Sequence, residues 1–191
     1  SEMFSEIFLK RPWRNLINLR KLNLSNISFL KTIVLHKLIE VDLKNLNSLD
    51  LSNKPFSNDD FSILIRGLWP LLEELYLNNT RIKSKGIQEI IDQSHWPCLR
   101  YLDLSDNSIN DEELIILSRG NWPLLETIGL SNGKFTDKGL FHLFHLANWP
   151  RLKEIITSSG WGIIKFDSSK YQSSIENLDL HDGKIDKTQV E

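Results

Sequence analysis

A single cysteine, Cys98, stands among the 191 residues, so no disulfide can form within the chain. That excludes a small disulfide-stapled fold, and a reducing compartment suits the chain. No sign of charge dominates: 23 Lys and Arg face 25 Asp and Glu, for a net charge of −2. Such a balance has no general pull toward nucleic acid or an anionic membrane. No apolar run approaches the length of a membrane span. The opening SEMFSEIFLKRPW has acidic residues where a secretory leader needs basic ones, so no leader is expected there and the expected location is cytoplasmic. The composition of a disordered chain is missing too. With 40% hydrophobic and 25% charged residues, one folded domain is expected.

What the chain has instead is a repeat. Trp-Pro returns at Trp69, Trp96, Trp122 and Trp149, each time three residues ahead of a leucine. The frame L-x-x-L-x-L recurs as Leu19-Leu22-Leu24, Leu46-Leu49-Leu51, Leu72-Leu75-Leu77, Leu99-Leu102-Leu104 and Leu125-Ile128-Leu130. Leu152-Ile155-Thr157 and Ile175-Leu178-Leu180 are weaker copies, and the start-to-start steps are 27, 26, 27, 26, 27 and 23. Alternating leucines put one face of a strand inward. After each strand the period changes to a helical one. Asn58, Ser84, Asn110 and Thr136 are candidate helix caps, with Phe61 and Leu64, Ile87, Ile90 and Ile91, Leu114 and Leu117, and Leu140 and Leu143 turned inward. Glu113 follows Asn110 at capping-box spacing. Proline then stops each helix, and the four tryptophans are expected to stack as a core ladder rather than to form a ligand platform.

LRYLDLSDNSI at Leu99–Ile109 carries the full pattern L-x-x-L-x-L-x-x-N-x-L, and on these residues the chain resembles a leucine-rich repeat protein. At the asparagine position the other frames carry Lys54, Thr80, Gly133, Gly160 and Gly183. The long period makes it similar to the ribonuclease-inhibitor-like subclass, in which a true helix follows each strand. The resemblance implies an α/β, right-handed solenoid, horseshoe or arc, of about seven repeats, with a parallel concave sheet and convex helices. Strands are expected near 19–24, 46–51, 72–77, 99–104, 125–130, 152–157 and 175–180. A capping helix over 1–15, a repeat domain over 16–183 and a tail over 184–191 complete the organisation. Met3, Phe4, Ile7 and Phe8 would share one face of the capping helix. Residues 28–45 lack the clean helix and Trp-Pro of later repeats. Leu38 opens a competing frame there, but Leu46 keeps the 26/27 step. Residues 159–174 read as a Gly- and Ser-rich loop in place of the last helix.

Known catalytic and metal-binding patterns find little footing. The stretch from Asp103 resembles a calcium loop faintly, but Ser108 stands where glycine is needed and Leu114 where glutamate is needed. His142 and His145 have helical spacing without a carboxylate partner. Cys98 and His95 lie on opposite sides of Pro97, and Leu71 and Leu124 are the positional equivalents of Cys98, which suits a small hydrophobe. No phosphate loop, dinucleotide fingerprint or nucleophile elbow is present. No catalytic, cofactor-binding or metal-binding residue is therefore expected, and the chain is not expected to be an enzyme.

The remaining candidates lie on the concave face, where the third and fifth frame positions point. Around the middle of the arc these are Asp50, Glu74, Tyr76, Tyr101 and Asp103. Tyrosines flanked by carboxylates suit protein recognition and favour a basic partner over nucleic acid. Arg81, Lys83 and Lys85 on the adjoining rim read as ordinary solvated charge. We expect a monomeric, non-enzymatic interaction module that binds a protein or peptide, not nucleic acid or membrane. The alternative is a substrate-recognition fragment of a larger enzyme or secreted bacterial effector, such as a ubiquitin-ligase adaptor. Its active part would then lie outside this chain and its location would be the host cytoplasm.

Overall fold

The computed structural model describes residues 13–25, 32–93, 96–158, 163–165, 178–180 and 183–185. Six strands run parallel in one open sheet: β1 (Lys21–Asn23), β2 (Ser48–Asp50), β3 (Glu74–Tyr76), β4 (Tyr101–Asp103), β5 (Thr127–Gly129) and β6 (Glu154–Ile156). Between them lie helices α1 (Thr32–Glu40), α2 (Asn58–Leu64), α3 (Ser84–Gln93), α4 (Asp111–Leu117) and α5 (Asp137–Leu146). Strands join only sequence neighbours, and each helix packs on the next. This is the layout of a stacked repeat, in which every unit touches only the units before and after it.

The leucine frame explains the layering. Leu46, Leu49, Leu51, Leu72, Leu75, Leu77, Leu102, Leu125, Ile128 and Leu130 are fully buried against helix residues such as Phe61, Leu64, Ile87, Leu114 and Leu140. Each strand has three residues, yet its inter-repeat bonding continues past it: Leu51 N donates to Tyr76 O at 3.0 Å and Leu77 N to Asp103 O at 2.9 Å. The chain then turns through a residue with positive φ, namely Asn53, Asn79, Asp106 and Asn132 in successive repeats. Asn and Asp tolerate that left-handed conformation better than other residues with a Cβ. Their side chains also bond across repeats. Asn79 Nδ2 donates to Asn53 Oδ1 at 3.1 Å, and Asn132 Nδ2 to Asp106 Oδ1 at 2.6 Å.

Inside the turn, Asn107 is buried and fully engaged. Its Oδ1 accepts from Thr80 N and Ile82 N, and its Nδ2 donates to the carbonyls of Leu77, Leu104 and Ser105. It thus satisfies the backbone of two repeats at once. In the repeat before, the buried Thr80 hydroxyl donates to Leu77 O at 2.6 Å.

All four Trp-Pro tryptophans are buried, with 1–3% of their surface exposed. Trp69 and Trp96 stack at 6.3 Å with an 11° interplanar angle, and Trp122 and Trp149 approach to 5.7 Å at 34°. The rings fold back over the preceding turn, where Gly67 and Gly120 leave room: a Cβ on either glycine would collide with the Trp69 or Trp122 ring. Trp149 Nε1 donates to Gly120 O at 2.9 Å, whereas the buried Trp96 Nε1 has no partner among the described residues.

Several expectations need correction. Residues 32–40 form a true helix although no Trp-Pro follows them; Leu38 lies inside it, and the strand falls in the Leu46 frame that the 26/27 step favours. The cap of α2 is Ser57, whose side chain accepts from Asp60 N while Asp60 accepts from Ser57 N, and Asn58 is the first helical residue. Ser84 likewise begins α3 instead of preceding it, and its hydroxyl donates to Glu113. Thr136 takes the cap position of α5 without a cap bond, because its Oγ is held by Asp111 Oδ2 at 2.7 Å. Asn110 does cap α4, in a capping box with Glu113. The stretch 159–174 contains a strand, β7 (Ile163–Lys165), which pairs antiparallel with β6. It takes the sheet position that a seventh parallel strand would need. The last frame accordingly supplies β8 (Leu178–Leu180), which pairs antiparallel with β9 (Gly183–Ile185) in a separate two-stranded sheet. The expected capping helix at the start lies outside the described residues, apart from a 3₁₀ helix at Trp13–Asn18.

Two stability measurements check these roles. Asn107→Ala leaves buried amides and carbonyls of two repeats unpaired and should cost about 3 kcal/mol in denaturant unfolding. A loss under about 1 kcal/mol would contradict its central place in the turn. Trp149→Phe removes a made hydrogen bond, while Trp96→Phe removes an unpaired donor. The first should therefore be the more destabilising by roughly 1–2 kcal/mol, and the reverse order would contradict the assignment.

Candidate functional site

Pleating turns residues i and i+2 of each three-residue strand to one face and the leucine or isoleucine between them to the core. The register then fixes two rows across the sheet. One runs Lys21, Ser48, Glu74, Tyr101, Thr127, Glu154, and the other Asn23, Asp50, Tyr76, Asp103, Gly129, Ile156. Asp50, Glu74, Tyr76, Tyr101 and Asp103 therefore come together on the adjacent strands β2, β3 and β4. Tyr76 stands between Asp50 and Asp103 in its row, and Tyr101 stands beside Glu74 in the other.

The two tyrosines are diagonal neighbours, and their rings meet with centroids 5.0 Å apart at a 40° tilt. Both are half-buried. Burial first, then the charges of Asp103, Tyr76 and Glu74, push the Tyr101 hydroxyl up to about 12. Burial first, then Glu74, Asp50 and Asp103, also raise the Tyr76 hydroxyl above its ordinary value. The carboxylates thus create a negative field at the rings. Lys21 Nζ lies 3.9 Å from Glu74 Oε2, reaching across Ser48 of the strand between them.

The aspartates have a second duty that charge alone did not suggest. Asp50 Oδ1 accepts from Ser52 N at 3.0 Å and from the Ser52 hydroxyl, and its Oδ2 accepts from Asn23 Nδ2 at 2.7 Å. Asp103 Oδ1 accepts from Ser105 N at 2.9 Å, just as Asn23 Oδ1 accepts from Ser25 N. Each closes a side-chain turn at the strand exit. The signal is the tripeptide Asn/Asp-Leu-Ser at Asn23, Asp50 and Asp103. Asp103 also lies over the neighbouring strand, where a Cβ on Gly129 would collide with its Oδ1.

One border of the sheet carries a charge ladder that sequence reasoning missed. Asn47 Nδ2 donates to Glu73 Oε1 at 3.3 Å, and Arg100 lies 3.8 Å from Glu73 and 2.5 Å from Glu126. Lys153 closes the row on Glu126 at 2.5 Å. The hydrogen bond from Lys153, then the one from Arg100, hold the Glu126 carboxyl below its usual range. The ladder was findable, since the second frame position reads Arg20, Asn47, Glu73, Arg100, Glu126, Lys153.

The other sequence candidates stand apart from this face. His145 Nδ1 lies 2.9 Å from Phe141 O, within α5, and its ring packs on Phe141. Cys98 is a half-buried free thiol. Lys85 pairs with Glu89 at 3.9 Å on α3. Among the described residues, no helix is long and apolar enough to cross a membrane.

A family model described as Leucine Rich repeat matches residues 96–112. The match spans Trp96-Pro97, β4, the Asn107 turn and the Asn110 cap. With six parallel strands alternating with helices, it supports a leucine-rich repeat protein. No curated protein matches the chain.

The raised hydroxyl of Tyr101 is directly measurable. At about pH 11, where an ordinary tyrosine is ionised, Tyr101→Phe should leave the tyrosinate absorbance of the folded protein unchanged. Loss of one full tyrosinate would contradict the environment described. The folded state holds this proton longer than the unfolded one, so stability should fall as pH rises from about 10 toward 12. Asp103→Asn, which keeps an acceptor for Ser105 N, should lower the midpoint without restoring it, because burial is the larger cause.

Proposed function

We propose that this chain is a non-enzymatic, monomeric protein–protein interaction module that binds a protein or peptide on the concave strand face. Leucine-rich repeats commonly mediate protein–protein interaction. The observation that carries the assignment here is the Tyr76–Tyr101 pair, half-buried on two adjacent strands of the sheet. Tyrosine supplies broad apolar contact with a polar tip and loses little rotamer freedom on binding. Rigid strands, rather than loops, hold the two rings in place before a partner arrives, which lowers the ordering cost of association. Glu74, Asp50 and Asp103 border the rings and give the surface its sign. The proposed contact set is therefore Asp50, Glu74, Tyr76, Tyr101 and Asp103, with the aspartates also serving the turns.

The test is affinity capture with the wild-type chain and with Tyr76→Ala/Tyr101→Ala. Neither ring belongs to the fully buried core, so the double variant should keep its circular dichroism and lose only about 1–2 kcal/mol of stability. It should also lose the captured partner. A folded double variant that retains every partner would show that the proposed surface is wrong.

A further inference from the structure

We propose that the Tyr76–Tyr101 pair seats a cationic side chain, an arginine of the partner protein, laid across the two rings and held by Glu74. The inference rests on the strand face being the partner surface and goes further by naming what binds there. Across the two outward rows of β1–β6, the carboxylates of Asp50, Glu74, Asp103 and Glu154 face a single ammonium, that of Lys21. Three of those four carboxylates border the tyrosines. Along the sheet border, by contrast, Glu73 and Glu126 are matched by Arg100 and Lys153. The excess negative charge of the described face is thus concentrated around two aromatic rings.

A cation is attracted to the face of an aromatic ring, most strongly where a carboxylate stands beside it. Guanidinium suits this place better than ammonium, because it is planar, weakly hydrated and able to stack on a ring while bonding a carboxylate. Ring centroids 5.0 Å apart are too close for insertion. A flat group between two rings needs about 7 Å at ordinary contact distances. The cation therefore lies over the pair. Asp50 and Asp103 are tied into turns by their Oδ1 atoms, so their charge stands in position before binding. Glu74 is freer. Among the described residues its one cationic neighbour is Lys21, 3.9 Å away with 75% of its side chain exposed, a loose pair that an incoming guanidinium can replace.

The probes are three capped tripeptides, acetyl-Ala-Arg-Ala-amide and its citrulline and glutamate counterparts. They are titrated against the full chain while the Tyr76 and Tyr101 ring signals are followed by NMR. The arginine peptide should shift both rings saturably. Citrulline, the neutral isostere, should bind about tenfold more weakly, and glutamate should produce no shift. Glu74→Gln should weaken the arginine peptide several-fold. Lys21→Met, which removes the competing cation from an exposed position, should tighten it. That gain is a result that damage to the fold does not mimic. Equal shifts from arginine and citrulline, no shift from any peptide at millimolar concentration, or weakening by Lys21→Met would overturn the proposal. If the peptides fail while capture still depends on the tyrosines, the surface stands with another chemistry. If both fail, the surface falls as well.

Discussion

No repeat of this chain can bury its own apolar residues. A three-residue strand and a helix of seven to ten residues have too little core between them, so each unit is stable only with its leucines sealed against the next. The other features follow from that dependence. The 26- or 27-residue step keeps Leu49, Leu75, Leu102 and Ile128 in one line, and the same line sets the spacing of every outward residue. Tryptophan closes the gap where a helix gives way to the next strand, and at Trp69 and Trp122 a glycine two residues earlier gives the ring somewhere to lie. Scaffold and surface are thereby fixed by one register.

Stacking also decides where the polar groups find partners. Asn107 satisfies two repeats from inside the turn, the left-handed Asn and Asp residues bond to their counterparts one repeat away, and the Glu73–Arg100–Glu126–Lys153 ladder lines a border of the sheet. Each device joins equivalent positions across a step. The border ladder is partly exposed, and pairs of that kind contribute about 0–1 kcal/mol each, so its main effect is to neutralise that border. Among the described residues, the face around Tyr76 and Tyr101 carries more carboxylates than cations, with Lys21 beside Glu74. Local charge, rather than the nearly balanced total, is what a partner would meet there.

The strands, the inward leucines and the buried tryptophans were legible because a fixed period makes equivalent positions explain one another. Local choices between adjacent residues were less so. Ser57 and Asn58 are both good cap formers, and only geometry decides that the serine wins through its reciprocal bond with Asp60. The helix at Thr32–Glu40 was hidden because it ends without Trp-Pro and begins with the β-branched residues Thr32, Ile33 and Val34, which favour strand by propensity. The strand at Ile163–Lys165 was masked by the Gly and Ser around it. At the candidate site, positions were readable and duties were not. Asp50 and Asp103 looked like free surface charge, yet both cap a turn, and the distinguishing serine lies two residues further on. The likeness of the tyrosines to a single unit emerged only from the diagonal approach that the register creates.

We propose a division of labour, with helices and tryptophans as scaffold and the middle strands as the contact surface. Hydroxyl-radical footprinting of the chain, alone and with a captured partner, addresses it most directly. Tyr76 and Tyr101 should lose reactivity in the complex, while the exposed Leu68 and Leu146 on the helix side should react as before. Protection of Leu68 and Leu146 with unchanged tyrosines would place the partner on the other surface and contradict the account.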